Sequence, residues 1–406
     1  MTACGGAPPS QAPAWSDFPP DSALSPAPTA TSPGILLDTI ATSLVVPWAL
    51  AFTPDGRVLV TERAGRIRVI ENGRLRERPW ATLAVVGDDP EWRPEAGLMG
   101  IAVAPDFATS RHVYVLATFW KADSAALRAL PRRLWRRVAA TVSPLATTLF
   151  ENRIVRFTER DGQGGDPQVV VDHLPADYYH DGGALGFGPD GMLYATIGDV
   201  LRPALAQRPR VAAGKVLRVR PDGTEPPDNP FPGSPVWALG LRNSQALAWH
   251  PVTHDLFVTE HGPTGMSQEG GRAGFDEVNV VTRAGNYGWP RGVGRAESGA
   301  AQPIRVWATA VAPAGATFYT GPDPRWRGSL FVGGLQSLQL RRLVPVRDGD
   351  SWRIAGEESF LVGRLGRIRA LAMGPDGYLY LTTSNRDGRG VPGPHDDLIV
   401  RVRPGP

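Results

Sequence analysis

Residues 185–199 read LGFGPDGMLYATIGD, which is an apolar stretch, a Pro-Asp-Gly turn and a second apolar stretch. Proline sets φ at one central position of such a turn, and glycine supplies the positive φ that follows. Alternating side chains on either side are typical of β-strands. The sequence therefore predicts a β-hairpin here, and the same pattern returns five more times, around Pro54, Pro105, Pro251, Pro322 and Pro375.

The spacing of the six hairpins indicates the architecture. Successive turns are roughly 50 to 85 residues apart, which exceeds one hairpin and suits a four-stranded sheet with its loops. Repeats of this length made of strands predict an all-β, six-bladed β-propeller with four-stranded antiparallel blades over residues 35–406. A row of separate sandwiches would need linkers between its units, and the sequence shows none.

Two segments depart from the repeat. Residues 1–34 are rich in Pro, Ala and Ser and are predicted to form a disordered tether. An insertion at about residues 120–150 has apolar residues at helical spacing, with Pro131 in the first turn and Pro144 after the last, which predicts one short helix.

Most of the basic character lies in that insertion. Lys121–Phe150 carries six basic residues against one acidic residue, whereas the whole chain has a formal net charge of +3. The remainder is therefore slightly acidic, which argues against binding to nucleic acid. The insertion is interpreted either as a cover for one blade or as a docking surface for anionic lipid or an electron-accepting partner.

Cys4 is the only cysteine, so an intrachain disulfide is excluded. Residues 2–6 resemble the end of a bacterial lipoprotein signal, although no basic and apolar signal regions precede them. Either the start has been trimmed or the match is accidental. On the first interpretation the protein is exported to the periplasm or cell surface, and the Cys4 lipid or the basic insertion holds it against the membrane.

Propellers bind ligands at the mouth of the central channel, so candidate residues are sought in the loops between hairpins. His180 precedes one strand and Asp199 ends the next, and adjacent antiparallel strands bring such ends together. A carboxylate beside an imidazole raises its basicity and fixes its tautomer. The pair is a candidate general base, and a structural histidine is the alternative.

Two arginine motifs could bind an anion. Arg242 and Asn243 follow an apolar strand, and a capped turn with a surface arginine is the alternative interpretation. Arg367 and Arg369 are two positions apart, which places them on one face of a strand. Their guanidinium groups repel each other unless an anion such as a polycarboxylate or phosphate lies between them; a solvated strand face is the alternative.

A calcium site is predicted between residues 262 and 288. Gly262 and Pro263 form a turn whose carbonyls are expected to be free, and carbonyl oxygens suit calcium. The carboxylates of Asp276 and Glu277 and the loop of Tyr287 follow. No phosphate loop, zinc-spaced histidine pair or cysteine nucleophile motif is present in the sequence.

Read together, these motifs resemble those of one family. The order EAGLMGIAVAPDF, HDGGALGFGPDGMLYATIGD, LGLRN, TEHGP, DEVN, NYGWP and a final RIR is similar to the soluble pyrroloquinoline quinone (PQQ)-dependent glucose, sorbosone and aldose sugar dehydrogenases, over about 46–403. The resemblance implies a six-bladed propeller that oxidises an aldose at C1 to the lactone by hydride transfer to PQQ, with calcium as Lewis acid. It specifies neither the sugar nor the final electron acceptor.

The resemblance also implies a role for each candidate. His180 is the catalytic base, Asp199 orients it, and Arg242 with Asn243 contacts the quinone oxygens. The carbonyls of Gly262 and Pro263 bind the calcium beside the quinone. The remaining implied roles are contacts to the PQQ carboxylates by Arg367 and Arg369 and a second, structural calcium site at Glu277 and Tyr287.

Two candidate cofactor contacts depart from the family pattern. Glu95 stands where glutamine is common, and Gln336 stands where a lysine or arginine often contacts PQQ. Losing a charge-assisted hydrogen bond costs about 1.5 to 3 kcal/mol, or roughly one to two decades of affinity. A carboxylate near an anionic cofactor weakens binding further unless it is protonated or bonds calcium. The alternative function is therefore a non-catalytic, calcium-retaining module that binds sugar or protein; a calcium-dependent lactonase would need more channel carboxylates.

Overall fold

The computed structural model describes residues 34–87, 95–121, 149–269, 271–294 and 299–405. These residues form six small antiparallel sheets around a central channel, so the predicted six-bladed β-propeller is confirmed. The tether predicted for residues 1–34, apart from Gly34, and residues 122–148 of the insertion lie outside the described residues. None of the helices in the described ranges is long and apolar enough to cross a membrane.

Each blade is one sheet whose strands follow the chain from the channel outward. The first strand, β1 (Ile35–Ala41), belongs to the last blade. Blade 1 contains β2 (Pro47–Phe52), β3 (Val58–Glu62), β4 (Arg66–Glu71), β5 (Arg74–Leu75) and β6 (Ala81–Thr82), the last two sharing the edge of β4. Blade 2 contains β7 (Leu98–Val103), β8 (His112–Trp120), β9 (Phe150–Arg160) and β10 (Gln163–Leu174). Blade 3 contains β11 (Leu185–Phe187), β12 (Leu193–Ile197), β13 (Lys215–Val219) and β14 (Val236–Leu239).

The second half of the ring repeats this order. Blade 4 contains β15 (Ser244–Trp249), β16 (Leu256–Glu260), β17 (Asp276–Val281) and β18 (Arg305–Trp307). Blade 5 contains β19 (Pro313–Phe318), β20 (Leu330–Gly334), β21 (Gln339–Asp348) and β22 (Ser351–Phe360). Blade 6 contains β23 (Ile368–Met373), β24 (Leu379–Thr383), β25 (Ile399–Pro404) and β1. Apart from Leu149, which is helical, helical structure in the described ranges consists of single turns: α1 (Phe107–Ser110) and the 3₁₀ turns Pro203–Gln207 and Ser267–Glu269.

The ring closes because the two ends of the chain share blade 6. β1 pairs antiparallel with β25, with Leu37 opposite Val402. Because the ring is closed, every blade has a neighbour on both sides, and buried apolar side chains pack between neighbouring blades. The innermost strands of all six blades surround a channel of about 100 Å³ whose wall includes Trp48, Gln245 and Arg369.

The hairpin pattern fixes the two ends of the propeller. All six Pro-containing turns connect the first and second strands of a blade, so they lie at one end, here called the hairpin end. Loops that lead into the first strand or leave the second lie at the opposite end, here called the mouth end. All candidate residues except Tyr287 occupy such loops, or the strand positions next to them, and are therefore gathered at the mouth end. Tyr287 follows β17, and its backbone N–H binds the Leu239 carbonyl at the mouth end of β14.

Candidate active site

His180 and Asp199 meet at the mouth end of blade 3. His180 precedes β11, Asp199 follows β12, and 2.7 Å separates His180 Nδ1 from Asp199 Oδ1. Both side chains are buried. An ionised carboxylate accepts a hydrogen bond from Nδ1–H, which leaves Nε2 as the nitrogen that can take a proton. The strand ends are thus brought together as the sequence predicts.

Neighbouring groups hold this pair in place. Asp199 Oδ2 accepts a hydrogen bond from the indole N–H of Trp289 at 2.8 Å, and Oδ1 accepts one from the backbone N–H of Leu201 at 3.0 Å. His180 has a left-handed backbone with φ of 62°, and a Cβ at Gly198 would collide with the His180 carbonyl. The imidazole is therefore fixed from both its side chain and its backbone.

Arg242 is buried, which rules out the interpretation as a surface arginine. Its Nε lies 2.6 Å and its Nη2 2.5 Å from Oε1 of Glu269, and its guanidinium stacks on the Trp289 ring at 5.6 Å. The carbonyl of Arg242 accepts a hydrogen bond from the backbone N–H of Asp199 at 2.6 Å. The arginine therefore lies next to the His180–Asp199 pair with its charge already balanced.

Arg367 and Arg369 lie close together but have different partners, which changes the predicted balance of charge. Arg367 donates from Nε to Asp387 at 2.8 Å and from Nη1 to the Leu335 carbonyl at 2.9 Å. Asp387 thus offsets Arg367 without a ligand, contrary to the expectation that an external anion is needed between two unbalanced cations.

Arg369 remains without a carboxylate partner in the described part of the chain. It donates from Nη1 to Gln245 at 3.2 Å and lies 5.3 Å from the Trp48 ring, but its buried Nε has no acceptor among the described residues. Burial lowers the pKa of Arg369 to about 10, and the nearby Arg367 and Arg63 add to that shift, opposing Asp387 and Glu95. An anion placed here would relieve both costs.

The charge of Glu95 is balanced by an arginine, and not by protonation or by a bond to calcium, the two possibilities that the sequence analysis gives. Its Oε1 accepts a hydrogen bond from Arg389 at 3.1 Å, and its Oε2 accepts from the backbone N–H of His180 at 3.1 Å and from Asn243 Nδ2 at 3.4 Å. Although burial opposes ionisation, Arg389, His180 and His261 lower the pKa of Glu95 to about 2. Glu95 is thus ionised and paired with an arginine, rather than protonated.

The four predicted metal-binding residues border one small cavity. It measures about 20 Å³, room for about one water or ion, and its wall includes Gly262, Pro263, Glu277, Tyr287 and Glu260. The sequence motifs predict one calcium site here, in agreement with this single space, whereas the family resemblance implies two separate sites. A Cβ at Gly262 would collide with the Gly274 carbonyl, which explains the glycine.

Two details of this cavity correct the sequence interpretation. The Pro263 carbonyl is not free, because it accepts a hydrogen bond from the Gly274 N–H at 3.0 Å. Asp276 points its carboxylate at backbone N–H groups, including that of Gly262 at 2.7 Å. Burial raises the pKa of Glu260 to about 8 and that of Glu277 to about 7, because the hydrogen bonds these carboxylates accept offset only part of the cost of burying their charges.

Gln336 lies at the edge of the site with an exposed side chain. Its backbone N–H donates to the Val311 carbonyl at 3.1 Å, and the preceding Leu335 carbonyl binds Arg367. A cleft of about 530 Å³ opens beside it at the mouth end of blade 6, with Arg367 and Arg389 in its wall. Leu338, two residues after Gln336, lines this cleft.

Sequence reasoning missed several residues that complete the site: Glu260, His261, Glu269, Trp289 and Arg389. His261 lies inside TEHGP and Trp289 inside NYGWP, so the quoted motifs already contained a signal for both. The buried Nε2 of His261 has no hydrogen-bond partner among the described residues, and burial lowers the pKa of this imidazole to about 3. Glu269 and Arg389 carry no local signal, because their partners come from other loops.

Comparisons with known proteins agree with this arrangement. The sequence model of the Glucose / Sorbosone dehydrogenase family matches residues 44–399. An oxidoreductase of Thermus thermophilus, described as a glucose dehydrogenase, is 39% identical and superposes with a TM-score of 0.78 over 91% of this chain and 100% of its own.

Two aldose sugar dehydrogenases are also similar. The PQQ-bound enzyme of Streptomyces coelicolor is 33% identical, with a TM-score of 0.73 over 93% of this chain and 99% of its own. Aldose sugar dehydrogenase YliI of Escherichia coli K12 is 29% identical over 391 residues, which cover 90% of this chain and 94% of that enzyme. With the family match spanning six blades, the chain belongs to the Glucose / Sorbosone dehydrogenase family.

Proposed function

We propose that this protein is a PQQ- and calcium-dependent aldose dehydrogenase that oxidises the sugar at C1 to the lactone, with His180 as general base. The observation that carries the proposal is the buried His180–Asp199 pair, whose acid is held by Trp289 at the mouth of the channel. The similarity to the PQQ-bound aldose sugar dehydrogenase of Streptomyces coelicolor supports the choice of cofactor.

The residues of the mouth end fit PQQ, which carries three carboxylates and two adjacent quinone oxygens. Among the described residues, the buried Nε–H of Arg369 has no acceptor and the buried Nε2 of His261 has no hydrogen-bond partner. Arg367 and Arg389 line the adjoining cleft. Asn243 shares Glu95 with the His180 backbone, and Arg242 stacks on Trp289; from these positions Arg242 and Asn243 would contact the quinone oxygens.

The donors around the small cavity fit calcium. Calcium prefers hard oxygen ligands, including carboxylates and backbone carbonyls. Glu260 and Glu277 supply carboxylates with raised pKa values, and a cation favours their ionised forms. The carbonyls of Gly262 and Pro263 supply neutral oxygens; the hydrogen bond from Gly274 occupies one lone pair of the Pro263 oxygen and leaves the other.

The reaction removes a proton and a hydride from the sugar, and His180 acts on the proton. Nε2 takes the proton of the C1 hydroxyl as the hydride leaves C1, and Asp199 stabilises the imidazolium through Nδ1–H. Trp289 keeps the Asp199 carboxylate oriented toward the ring. PQQ, when bound, supplies the acceptor for the two electrons of the hydride, with calcium as Lewis acid.

Glu95 and Gln336 are expected to affect the affinity for PQQ but not the chemical step. Because Arg389 pairs with Glu95, the carboxylate adds little net charge beside an anionic ligand. Gln336 lacks a charge and supplies at most a neutral hydrogen bond. We therefore expect PQQ to bind, but more weakly than it would with a cation at position 336.

Reconstitution tests the proposal directly. The purified protein, loaded with PQQ and calcium, should reduce a dye acceptor when given aldoses, and the lactone should appear as the sugar disappears. PQQ should also change its absorbance on titration with protein. Absence of both the absorbance change and dye reduction across a panel of aldoses would contradict the proposal, and tight sugar binding without PQQ affinity would establish the non-catalytic alternative.

A further inference from the structure

Glu269 is a buried acid that the proposed reaction does not yet use. It lies on the 3₁₀ turn Ser267–Glu269, in the loop between β16 and β17, with 3% of its surface exposed. Its Oε1 contacts Arg242, and its Oε2 accepts hydrogen bonds from the backbone N–H and hydroxyl of Thr264 at 2.8 and 3.1 Å. Both carboxylate oxygens are therefore engaged, and the acid is held from its own loop.

This contact determines which edge of the Arg242 guanidinium is available. The edge formed by Nε and Nη2 faces Glu269, and Nη2 also approaches the Thr264 hydroxyl at 3.4 Å. Nη1 donates to the His261 carbonyl at 3.3 Å. A guanidinium has five N–H groups; the Nε and Nη2 edge faces Glu269, so the second N–H of Nη1, which has no acceptor among the described residues, is available to a ligand.

We propose that Glu269 is a positioning residue, which turns the Nη1 edge of Arg242 toward the reacting oxygens and cancels its charge. The inference rests on the proposed function, because it concerns the use of Arg242 in the same site. Arg242 then contributes a directed hydrogen bond rather than an additional cation for the anionic cofactor. Arg369, which has no carboxylate partner among the described residues, supplies the unbalanced positive charge.

The charge of Glu269 is expected to weaken the binding of PQQ, whereas its hold on Arg242 is expected to speed turnover. Removing its charge exposes Arg242 as a cation, which attracts an anionic ligand more strongly. Removing its hold frees the guanidinium to rotate, and misplacement of a catalytic donor by about 1 Å can cost about 10²-fold in rate. A purely structural acid would weaken both binding and turnover when replaced.

Three variants separate these effects. In Glu269→Gln, which keeps size but removes charge, we expect the Kd for PQQ, measured by absorbance titration, to fall roughly threefold to tenfold. With saturating PQQ, kcat should fall at least about tenfold. In Glu269→Asp, which keeps charge but shortens the reach, Kd should stay at the wild-type value while kcat falls. Thr264→Val, which removes only the hydroxyl contacts, should lower kcat by a smaller factor and covers the case in which Glu269→Gln does not fold.

Glu358→Gln is the matched control, because it breaks a partly exposed ion pair with Arg342 on the outer strands of blade 5. It should change neither kcat nor Kd. The positioning role is wrong if Glu269→Gln has the wild-type kcat or binds PQQ more weakly than the wild type. If Glu269→Gln does not fold, a wild-type kcat in Thr264→Val has the same meaning. The proposed function stands in each of these cases. A wild-type protein that neither binds PQQ nor oxidises aldoses would overturn both.

Discussion

The two ends of the propeller use charged residues in different ways. At the hairpin end, Asp190 accepts hydrogen bonds from the Met192 N–H, the Tyr194 hydroxyl and Arg218 at 3.1, 3.0 and 2.9 Å, all within blade 3. Blade 6 repeats the arrangement around Asp376, with Tyr378, Tyr380 and Arg401 as donors. Each such acid serves the turn and strands of its own blade.

At the mouth end, polar contacts connect different blades. Trp289 of blade 4 binds Asp199 of blade 3, and Arg389 of blade 6 binds Glu95, which leads into blade 2. No single blade contains the complete site. Contacts between blades also occur at the hairpin end, where Arg57 of blade 1 binds Glu159 of blade 2. There they join neighbouring blades, whereas at the mouth end they assemble the candidate active site.

The largest expected difference between the ends concerns two histidines. His180→Ala should lower kcat with saturating aldose by about 10²- to 10⁴-fold, because the general base is lost. His254→Ala is a matched control, since His254 also has a left-handed backbone, with φ of 64°, but lies exposed at the hairpin end. Dye reduction and thermal unfolding should show inactivity only in the first variant and a folded protein in both. If the His180→Ala protein kept its activity, the assignment of the active site to the mouth end would be wrong.

The second difference concerns two arginines. Arg369→Met should weaken PQQ binding by about 10- to 100-fold through loss of a charge-assisted contact. It should also leave the cofactor-free protein as stable or up to about 3 kcal/mol more stable, because a buried donor without an acceptor disappears. Absorbance titration and urea unfolding measure the two quantities.

Arg401→Met provides the comparison at the hairpin end. Arg401 pairs with Asp376 and Asp38 at 3.0 and 3.1 Å and is partly exposed. Its loss should lower stability by no more than about 1 kcal/mol and leave PQQ affinity unchanged. Equal affinity in the Arg369 and Arg401 variants would show that the unpaired cation does not serve the cofactor.

A smaller effect is expected for two tryptophans that each bind an aspartate. Trp289→Phe removes the 2.8 Å bond to Asp199, and Trp352→Phe removes a 2.9 Å bond to Asp255 at the hairpin end. A hydrogen bond to a charged group contributes about 1.5 to 3 kcal/mol, so both variants should lose similar stability. Only Trp289→Phe should lower kcat, by roughly tenfold, and an equal loss of kcat in both would contradict an orienting role.

The same contrast explains what the sequence could predict. The hairpins follow from local turn chemistry, so Pro189 and its five counterparts located every blade. The His180–Asp199 pair was also predictable, because both residues flank strands of one hairpin. Glu269 with Arg242 and Arg389 with Glu95 were not, because each pairing depends on the path of long loops and, for Glu95, on the closure of the ring. Patterns of strands determine which blades adjoin, but not where loop side chains meet.

The smallest expected difference is in the pH dependence of stability. Asp177, at the mouth end, is buried beside Asp181, and each has one carboxyl oxygen without a hydrogen-bond partner among the described residues. Burial raises the pKa of Asp177 to about 6, with Arg202 and His180 opposing and Asp199 adding to the shift, and burial also raises the pKa of Asp181. At the hairpin end, the hydrogen bond from Arg57 lowers the pKa of Asp55 to about 2.

These shifts have opposite signs in stability. Between about pH 4 and pH 6 the unfolded chain loses the Asp177 proton while the folded protein keeps it, so the free energy of unfolding falls as pH rises, by up to about 3 kcal/mol for one group. Asp177→Asn should reduce this slope in urea unfolding with chelator present, while Glu260 and Glu277 maintain a further decline toward pH 8. Asp55→Asn should not alter the slope between pH 4 and pH 6. Asp55 contributes stability that is lost only as pH falls from about 4 to about 2, and its partial exposure limits that contribution to about 1 kcal/mol. An unchanged slope in Asp177→Asn would mean that Asp177 does not keep its proton in the folded protein over this pH range.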